Sequence, residues 1–151
     1  MLKGIDPLIG PDLLRTLAAM GHGDELFVVD RNYPAEAAGR PVHRLDGVSA
    51  TTALTAVLSL LPLDGFVAEP LLRMAPVGDA GRIEPVQAEA LAIAERAAGR
   101  PISMAALERA EFYARARSAF AVVATGEERP YGCFVVIKGV LPEFVPGAVA
   151  A

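Results

Sequence analysis

The chain has 151 residues, of which 53% are hydrophobic and 21% are charged. This length suits one domain with a proper core and is short for two, so we expect a single domain over residues 1–151. The net charge of −4 and the absence of a Lys/Arg run exclude nucleic acid and anionic membrane surfaces as expected partners. A single cysteine excludes an intrachain disulfide framework.

The chain shows no sign of export or membrane insertion. Its first seven residues lack the apolar core of a secretory signal. Its longest nearly uncharged stretch, residues 48–67, contains Pro62 and Asp64 and does not predict a membrane span. We therefore expect a cytoplasmic protein. The apolar residues, mainly Ala, Val and Leu, exceed what a small core needs and predict surface that a homo-oligomer would bury.

The first third of the chain predicts a helix, a turn and a buried strand. Residues 10–12, Gly-Pro-Asp, open the helix, which ends at Gly21. A turn over residues 22–25 leads into the apolar run 26–29, which is typical of a buried strand. Asp30 then lies at the carboxyl end of that strand, where α/β sheets usually bind ligands.

The middle of the chain alternates short strands with helices. Residues 41–45 predict a strand, and Ser49 predicts the cap of a helix that runs to about Leu61. Residues 71–77 predict another strand, interrupted by a proline. The Glu-Pro pair at residues 84–85 begins a further helix that stops at Gly99.

The last third predicts one helix and two strands. Ser103 is placed to cap a helix from Met104 to about Ser118. Residues 120–124 and 131–137 predict strands, and the short connection between them predicts antiparallel neighbours. The alternation predicts an α/β fold: one three-layer domain with a central, mostly parallel sheet flanked by helices.

His22 is the first candidate for acid/base chemistry. It lies between two glycines in the sequence Gly-His-Gly-Asp-Glu, which permits unusual backbone angles and close approach of a ligand. The nearby Asp24 could support it by fixing the imidazole tautomer. A histidine that merely finishes a helix remains an equal alternative from the residues alone. His43 has no spaced partner and is interpreted as strand or surface packing.

Three further places could bind a polar ligand. Asp30 could accept hydrogen bonds from hydroxyl groups, or could be a turn carboxylate that bonds its own backbone. Arg109, with aromatic residues three and four positions later, could be a ligand-facing cation or an exposed charge. Tyr131 and Gly132 offer a ring face and accessible backbone. Cys133 lacks an activating neighbour and is typical of a small buried hydrophobe.

Other chemistry finds no support in the pattern. The sequence contains no metal-ligand cluster, no phosphate-binding glycine loop and no Gly-x-Ser-x-Gly elbow. We therefore expect neither metal nor cofactor.

Short motifs in a specific order give the chain a family resemblance, densest over residues 1–34 and 105–141. They are Met-Leu-Lys-Gly-Ile-Asp-Pro-Leu-Ile at the start, Leu-Ala-Ala-Met-Gly-His-Gly-Asp-Glu at 17–25, Asp30 with Pro34, Phe112-Tyr113, Thr125-Gly126-Glu127, Pro130-Tyr131-Gly132 and Lys138-Gly139-Val140. Together they resemble the L-fucose mutarotase and D-ribose pyranase family. Gly23 and Arg109 resemble the fucose branch; the ribose branch typically has Thr and His at these two positions.

The resemblance implies interconversion of the α and β anomers of a reducing monosaccharide, L-fucose or a related sugar, without cofactor or metal. It assigns the proton donor to His22 and sugar binding to Asp30, Arg109 and the segment 131–133. It also implies ring-shaped homo-oligomers, often decamers, with sites near subunit contacts.

Cys133 departs from the family pattern, which usually has Asn there. An amide donates and accepts hydrogen bonds that a thiol makes only weakly, so this position leaves the identity of the sugar open. Two alternatives therefore stand beside the mutarotase: a non-catalytic monosaccharide-binding or transport-accessory protein on the same scaffold, and a D-ribose pyranase.

Overall fold

The computed structural model describes residues 1–144. Within this range four α-helices and six strands alternate along the chain, with a short 3-10 helix after the first strand. The helices are α1 (Pro11–Ala19), α2 (Ala50–Leu58), α3 (Pro85–Ala98) and α4 (Arg109–Ala116). The strands are β1 (Glu25–Val29), β2 (Val42–Leu45), β3 (Leu71–Met74), β4 (Met104–Leu107), β5 (Ala121–Thr125) and β6 (Phe134–Ile137).

The six strands form one sheet in the order β2-β5-β1-β6-β3-β4. β1 pairs parallel with β5, β5 with β2, and β3 with β4. β6 runs antiparallel to both of its neighbours, β1 and β3. Five strands therefore point one way, which confirms the predicted mostly parallel sheet.

Hydrophobic side chains cover both faces of the sheet. In β1, Leu26 and Val28 pack into a cluster with residues of α1, α2 and α3, whereas Phe27 and Val29 pack into a second cluster with α4. The alternation follows from the two-residue period of a strand, and burial on both sides explains why residues 26–29 are all apolar. The result is the predicted three-layer arrangement.

The helix boundaries follow from local capping. The Ser49 side chain accepts a hydrogen bond from the Thr52 N–H at 3.1 Å and begins α2. Glu84 and Gln87 form a capping box at the start of α3. Gly99 ends that helix in the left-handed region, with φ of 66°. The helix starts predicted at Ser49 and at Glu84-Pro85 and the stop predicted at Gly99 are confirmed.

Three predictions for the last third are wrong. Residues 104–107 do not begin a helix: they form β4, which pairs parallel with β3, and α4 starts only at Arg109. Strand pairing has overridden the helix preference of Met, Ala and Leu. β5 and β6 are not neighbours, because β1 lies between them. β6 also begins later than predicted, at Phe134, and residues 131–133 form the turn before it.

Candidate functional site

An open pocket of about 280 Å³ lies where β1 and β3 end and β6 begins. Because β6 runs against its neighbours, its first residues lie beside the carboxyl ends of the other two strands. The pocket is lined by Asp30, Asn32, Tyr33, Met74, Val77, Arg109, Tyr113, Pro130, Tyr131 and Cys133. Four of the six residues predicted to bind or process a ligand therefore share one cavity.

Asp30, at the edge of this pocket, is held by its own loop and by Cys133. Its Oδ1 accepts a hydrogen bond from the Asn32 N–H at 3.0 Å, and its backbone N–H donates to Cys133 Sγ at 3.5 Å. The first bond is the turn geometry that carboxylates commonly adopt. The Oδ2 atom takes part in neither of these two bonds, and it can accept one from a ligand hydroxyl.

Arg109, the first residue of α4, contributes a cation to the pocket wall. Its Nε donates to the Tyr113 hydroxyl at 3.2 Å, and its Cζ lies 5.5 Å from the centre of that ring. The hydrogen bond with Tyr113 raises the pKa of the Arg109 guanidinium, which stays charged. The Nη1 and Nη2 donors are not used in this bond and remain available to a ligand.

Two tyrosines form an aromatic wall: Tyr113, which the sequence offered as a possible stacking ring beside Arg109, and Tyr33, which it did not indicate. The rings of Tyr33 and Tyr113 lie 5.2 Å apart, and both line the pocket. Burial, with a smaller contribution from Cys133, raises the pKa of Tyr33 well above its usual range, so its hydroxyl remains a donor. The position of Tyr33 three residues after Asp30, next to a proline, was the available signal.

The turn before β6 is conformationally constrained. Tyr131 adopts φ of 61°, which is uncommon for a residue with a side chain. Its hydroxyl accepts a hydrogen bond from the Val77 N–H at 3.1 Å, and its carbonyl accepts one from Gln87 Nε2 at 3.2 Å. At Gly132 a Cβ atom would come 2.6 Å from Glu127 Cγ, so the turn needs a residue without a side chain there.

Cys133 presents a thiol with little chemical reactivity. Its side chain is buried, and burial raises the pKa of the thiol well above its usual range. Its carbonyl accepts a hydrogen bond from the Met74 N–H at 3.1 Å. The residue therefore joins β3 to the pocket floor through its backbone, as any residue at this position could.

Glu127 anchors the chain just before this turn. Its buried carboxylate accepts hydrogen bonds from the Ala50 N–H at 3.1 Å and from Arg129 Nε at 2.9 Å. The bonds from Arg129 are the largest influence on the carboxyl group, and they hold its pKa below the usual range although burial opposes ionisation. The segment that carries Tyr131 is thus tied to the start of α2.

His22 lies at the opposite end of β1 from the pocket. The five residues of β1 separate the histidine from Asp30, a distance of roughly 16 Å at the usual rise per residue. The loop is fixed by the Gly23 N–H, which donates to the Lys138 carbonyl at 2.8 Å. The imidazole is 46% exposed, and the ring of Phe66 lies 5.3 Å from it. One chain alone therefore does not bring His22 to the pocket.

The carboxylate beside the imidazole belongs to Asp64, which sequence reasoning missed. Asp64 Oδ1 lies 3.1 Å from His22 Nε2, whereas Asp24 Oδ2 accepts a hydrogen bond from the Gly21 N–H at 2.7 Å. Burial disfavours the charged form of Asp64, but hydrogen bonds from the Phe66 N–H and from His22 outweigh it and lower the pKa of the carboxyl group. The 42 residues between His22 and Asp64 leave no local signal.

No group of three or more His, Cys, Asp or Glu side chains within residues 1–144 is arranged to hold a metal ion. No helix in the same range has the length and apolar character needed to cross a membrane.

Known proteins resemble this chain over nearly its whole length. A model of the RbsD / FucU transport protein family matches residues 3–141. The L-fucose mutarotase of Haemophilus influenzae (strain 86-028NP) is 44% identical over 144 residues, covering 94% of this chain and 99% of the relative.

Solved structures give the same fold. The fucose mutarotase from Streptococcus pneumoniae, solved in complex with L-fucose, has a TM-score of 0.86 and 36% identity and covers 93% of this chain and all of its own. Bacillus subtilis RbsD, complexed with D-ribose, has a TM-score of 0.69 at 21% identity and covers 93% of this chain and 99% of its own. At that identity the second likeness concerns the fold alone.

Proposed function

Because the chain belongs to the RbsD / FucU transport protein family, we propose that it is an L-fucose mutarotase, an isomerase that interconverts the α and β anomers of the sugar. One observation carries the proposal. Asp30, Arg109 and Tyr131, which the family resemblance assigns to sugar binding, come from three distant parts of the chain and line one pocket. The chain is 44% identical to an L-fucose mutarotase over nearly its full length, which supports the fucose branch over a D-ribose pyranase.

The reaction needs only proton transfers at fixed positions. The sugar ring opens when the ring oxygen gains a proton, the bond between that oxygen and the anomeric carbon breaks, and the anomeric hydroxyl loses its proton. The aldehyde then rotates, and the ring recloses on the other face. General acid/base catalysis by one positioned side chain typically contributes roughly 10²–10⁴-fold, which suffices for a sugar that already exchanges slowly in water.

The pocket residues have roles that follow from their chemistry. Asp30 accepts hydrogen bonds from sugar hydroxyls through Oδ2, and Arg109 donates to them from the opposite wall. The rings of Tyr33 and Tyr113 pack against the apolar face of the pyranose. Tyr131 and Gly132 contribute backbone and ring contacts at the start of β6. Such positioning brings the anomeric carbon to one defined place.

His22 is proposed as the proton donor, supplied to each pocket by a second copy of the chain. The exposure of its imidazole and its distance from Asp30 within one chain support this arrangement. The ring of Phe66, which lies 5.3 Å from the imidazole, is 77% exposed, and such an exposed apolar side chain is typical of a surface that a partner covers. We therefore propose a homo-oligomer, with a decamer as the expected size, acting in the cytoplasm.

Saturation-transfer NMR on L-fucose tests the function directly. The protein should accelerate exchange between the anomers, and His22→Ala should remove the acceleration. His43→Gln is the matched control: the other histidine of the chain bonds Thr16 at 2.7 Å and does not line the pocket, so this variant should retain activity.

The same experiment separates the alternatives. Faster exchange of D-ribose than of L-fucose would favour the pyranase. Sugar binding without any anomer exchange would favour a non-catalytic binding protein, and full activity in His22→Ala would refute the assignment of the donor.

A further inference from the structure

Asp64 is a buried carboxylate directly beneath the exposed His22. It lies in the connection between α2 and β3 and is 2% exposed. Its backbone N–H donates to the Ile137 carbonyl at 2.9 Å, and its carbonyl accepts a hydrogen bond from Arg100 Nη2 at 2.9 Å. The backbone of Asp64 is therefore held from two sides, and its side chain has little freedom to leave the imidazole.

The same end of β6 also holds the histidine loop. The Lys138 carbonyl accepts the Gly23 N–H, and the Lys138 N–H donates to the Asp24 carbonyl at 2.9 Å. Leu63, next to Asp64, forms a bridge with Lys138. The loop of His22 and the segment of Asp64, although 42 residues apart, are thus both held by the residue that follows β6.

One oxygen of Asp64 serves two groups. Oδ1 accepts the Phe66 N–H at 3.0 Å and lies 3.1 Å from His22 Nε2. Because Oδ1 accepts the Phe66 N–H, it carries no proton of its own. In the bond between Oδ1 and His22, Nε2 must therefore be the donor. Neutral His22 consequently carries its proton on Nε2 and has a free lone pair on Nδ1.

We propose that Asp64 is the positioning residue of His22: it fixes the Nε2–H tautomer and directs Nδ1 to the sugar. This inference rests on the proposed function. Protonated His22 gives the Nδ1 proton to the ring oxygen as the bond to the anomeric carbon breaks, while a water takes the proton of the anomeric hydroxyl. Both protons return when the ring recloses, and the bond from Nε2 to Asp64 persists throughout.

Two substitutions separate the hydrogen bond from the charge. Asp64→Asn keeps an oxygen for the Phe66 N–H, and that oxygen still accepts from Nε2–H. Asp64→Ala removes the acceptor altogether and frees the imidazole. Asp24→Asn is the control for a carboxylate in the same loop that bonds a backbone N–H instead of the imidazole.

The tautomer is measured in the free protein by long-range ¹H–¹⁵N correlation of the imidazole rings at alkaline pH, where free imidazole is neutral. The chain has two histidines, so His43→Gln assigns the spectrum. We expect the Nε2–H pattern for His22 in the unaltered chain, in Asp64→Asn and in Asp24→Asn, and a mixture of tautomers in Asp64→Ala. An Nδ1–H tautomer in the unaltered chain would overturn the proposal.

Anomer exchange of L-fucose supplies the second measurement. Asp64→Ala should lower kcat roughly 100-fold with KM changed by less than about threefold, because the donor is misdirected while the sugar-binding wall is intact. Asp64→Asn should stay within about tenfold of the unaltered kcat. A folded Asp64→Ala protein with unchanged kcat and tautomer, or with a change confined to KM, would refute the role. If the unaltered protein does not exchange L-fucose, the proposed function fails, and the tautomer experiment alone still decides whether Asp64 orients His22.

Discussion

Replacing Glu127 by alanine should destabilise the protein and loosen the turn that presents Tyr131. The carboxylate is 3% exposed and accepts hydrogen bonds from the Ala50 N–H and from three N–H groups of Arg129. It also fills the space against Gly132, where no side chain would fit. One side chain therefore connects the start of α2 to the edge of the pocket.

The magnitude follows from what each contact loses. The Ala50 N–H is fully buried at the first position of α2, and leaving it without an acceptor costs about 1–3 kcal/mol. Removal of the buried methylene group costs about 0.8 kcal/mol. Arg129 is 41% exposed and keeps its bond to Glu89 at 2.7 Å, so its share is at most about 1 kcal/mol. We expect a total loss of about 3 kcal/mol.

Urea unfolding followed by circular dichroism measures this change, with Glu128→Ala as the matched control. Glu128 is 75% exposed, and within residues 1–144 its side chain bonds only Arg31, so its loss should cost less than about 1 kcal/mol. The KM for L-fucose should rise in Glu127→Ala and stay unchanged in Glu128→Ala. Equal unfolding free energies for the two variants would refute the reasoning.

Three other expectations concern single positions. The Cys133 thiol should react with a disulfide reagent at least about 100-fold more slowly in the native than in the denatured protein, since it is 1% exposed and its pKa is raised; equal rates would contradict its burial. Gly139→Ala should lower the free energy of unfolding by about 1–3 kcal/mol in thermal unfolding, because the new Cβ would lie 2.6 Å from the Leu63 carbonyl oxygen. Gly47→Ala is the control, since a Cβ there has nothing within 4 Å. A larger loss in Gly47→Ala than in Gly139→Ala would count against the argument. The pKa of Glu127 in the folded protein lies below its ordinary value of 4.5. The stability that its ionised form supplies should therefore be complete above pH 4.5 and be lost as the pH falls through the lower folded pKa. Urea midpoints of Glu127→Gln that follow the same pH dependence as those of the unaltered protein would contradict this.

Local patterns predicted much of the first half of the fold. The run 26–29 could be identified as a buried strand because four apolar residues are bounded by a turn and by Asp30. The position of Asp30 at the pocket edge followed from the general geometry of parallel sheets. Ser49 and Gly99 gave helix boundaries because capping depends on one or two residues and not on distant contacts.

Features that depend on distant partners were not predictable in this way. Residues 104–107 have helix-forming side chains and became a strand because β3 offers them a parallel partner. The predicted pairing of β5 with β6 is wrong because the sequence that connects these two strands carries no signal that β1 lies between them in the sheet. Asp64 was missed for the same reason, since its contact with His22 exists only after the sheet has formed.

The place of β6 in the sheet has a consequence for how the protein is made. Although β6 is the last strand within residues 1–144, it lies in the interior of the sheet, between β1 and β3. Until it emerges from the ribosome, the earlier strands can form only two separate halves, β2-β5-β1 and β3-β4, each with an open edge. Its insertion joins the halves, completes the pocket through Tyr131 and secures the loop of His22 through Lys138. Synthesis therefore completes the folded sheet and the pocket in one late step, and a chain that stops short of this strand should remain a target for chaperones and proteases.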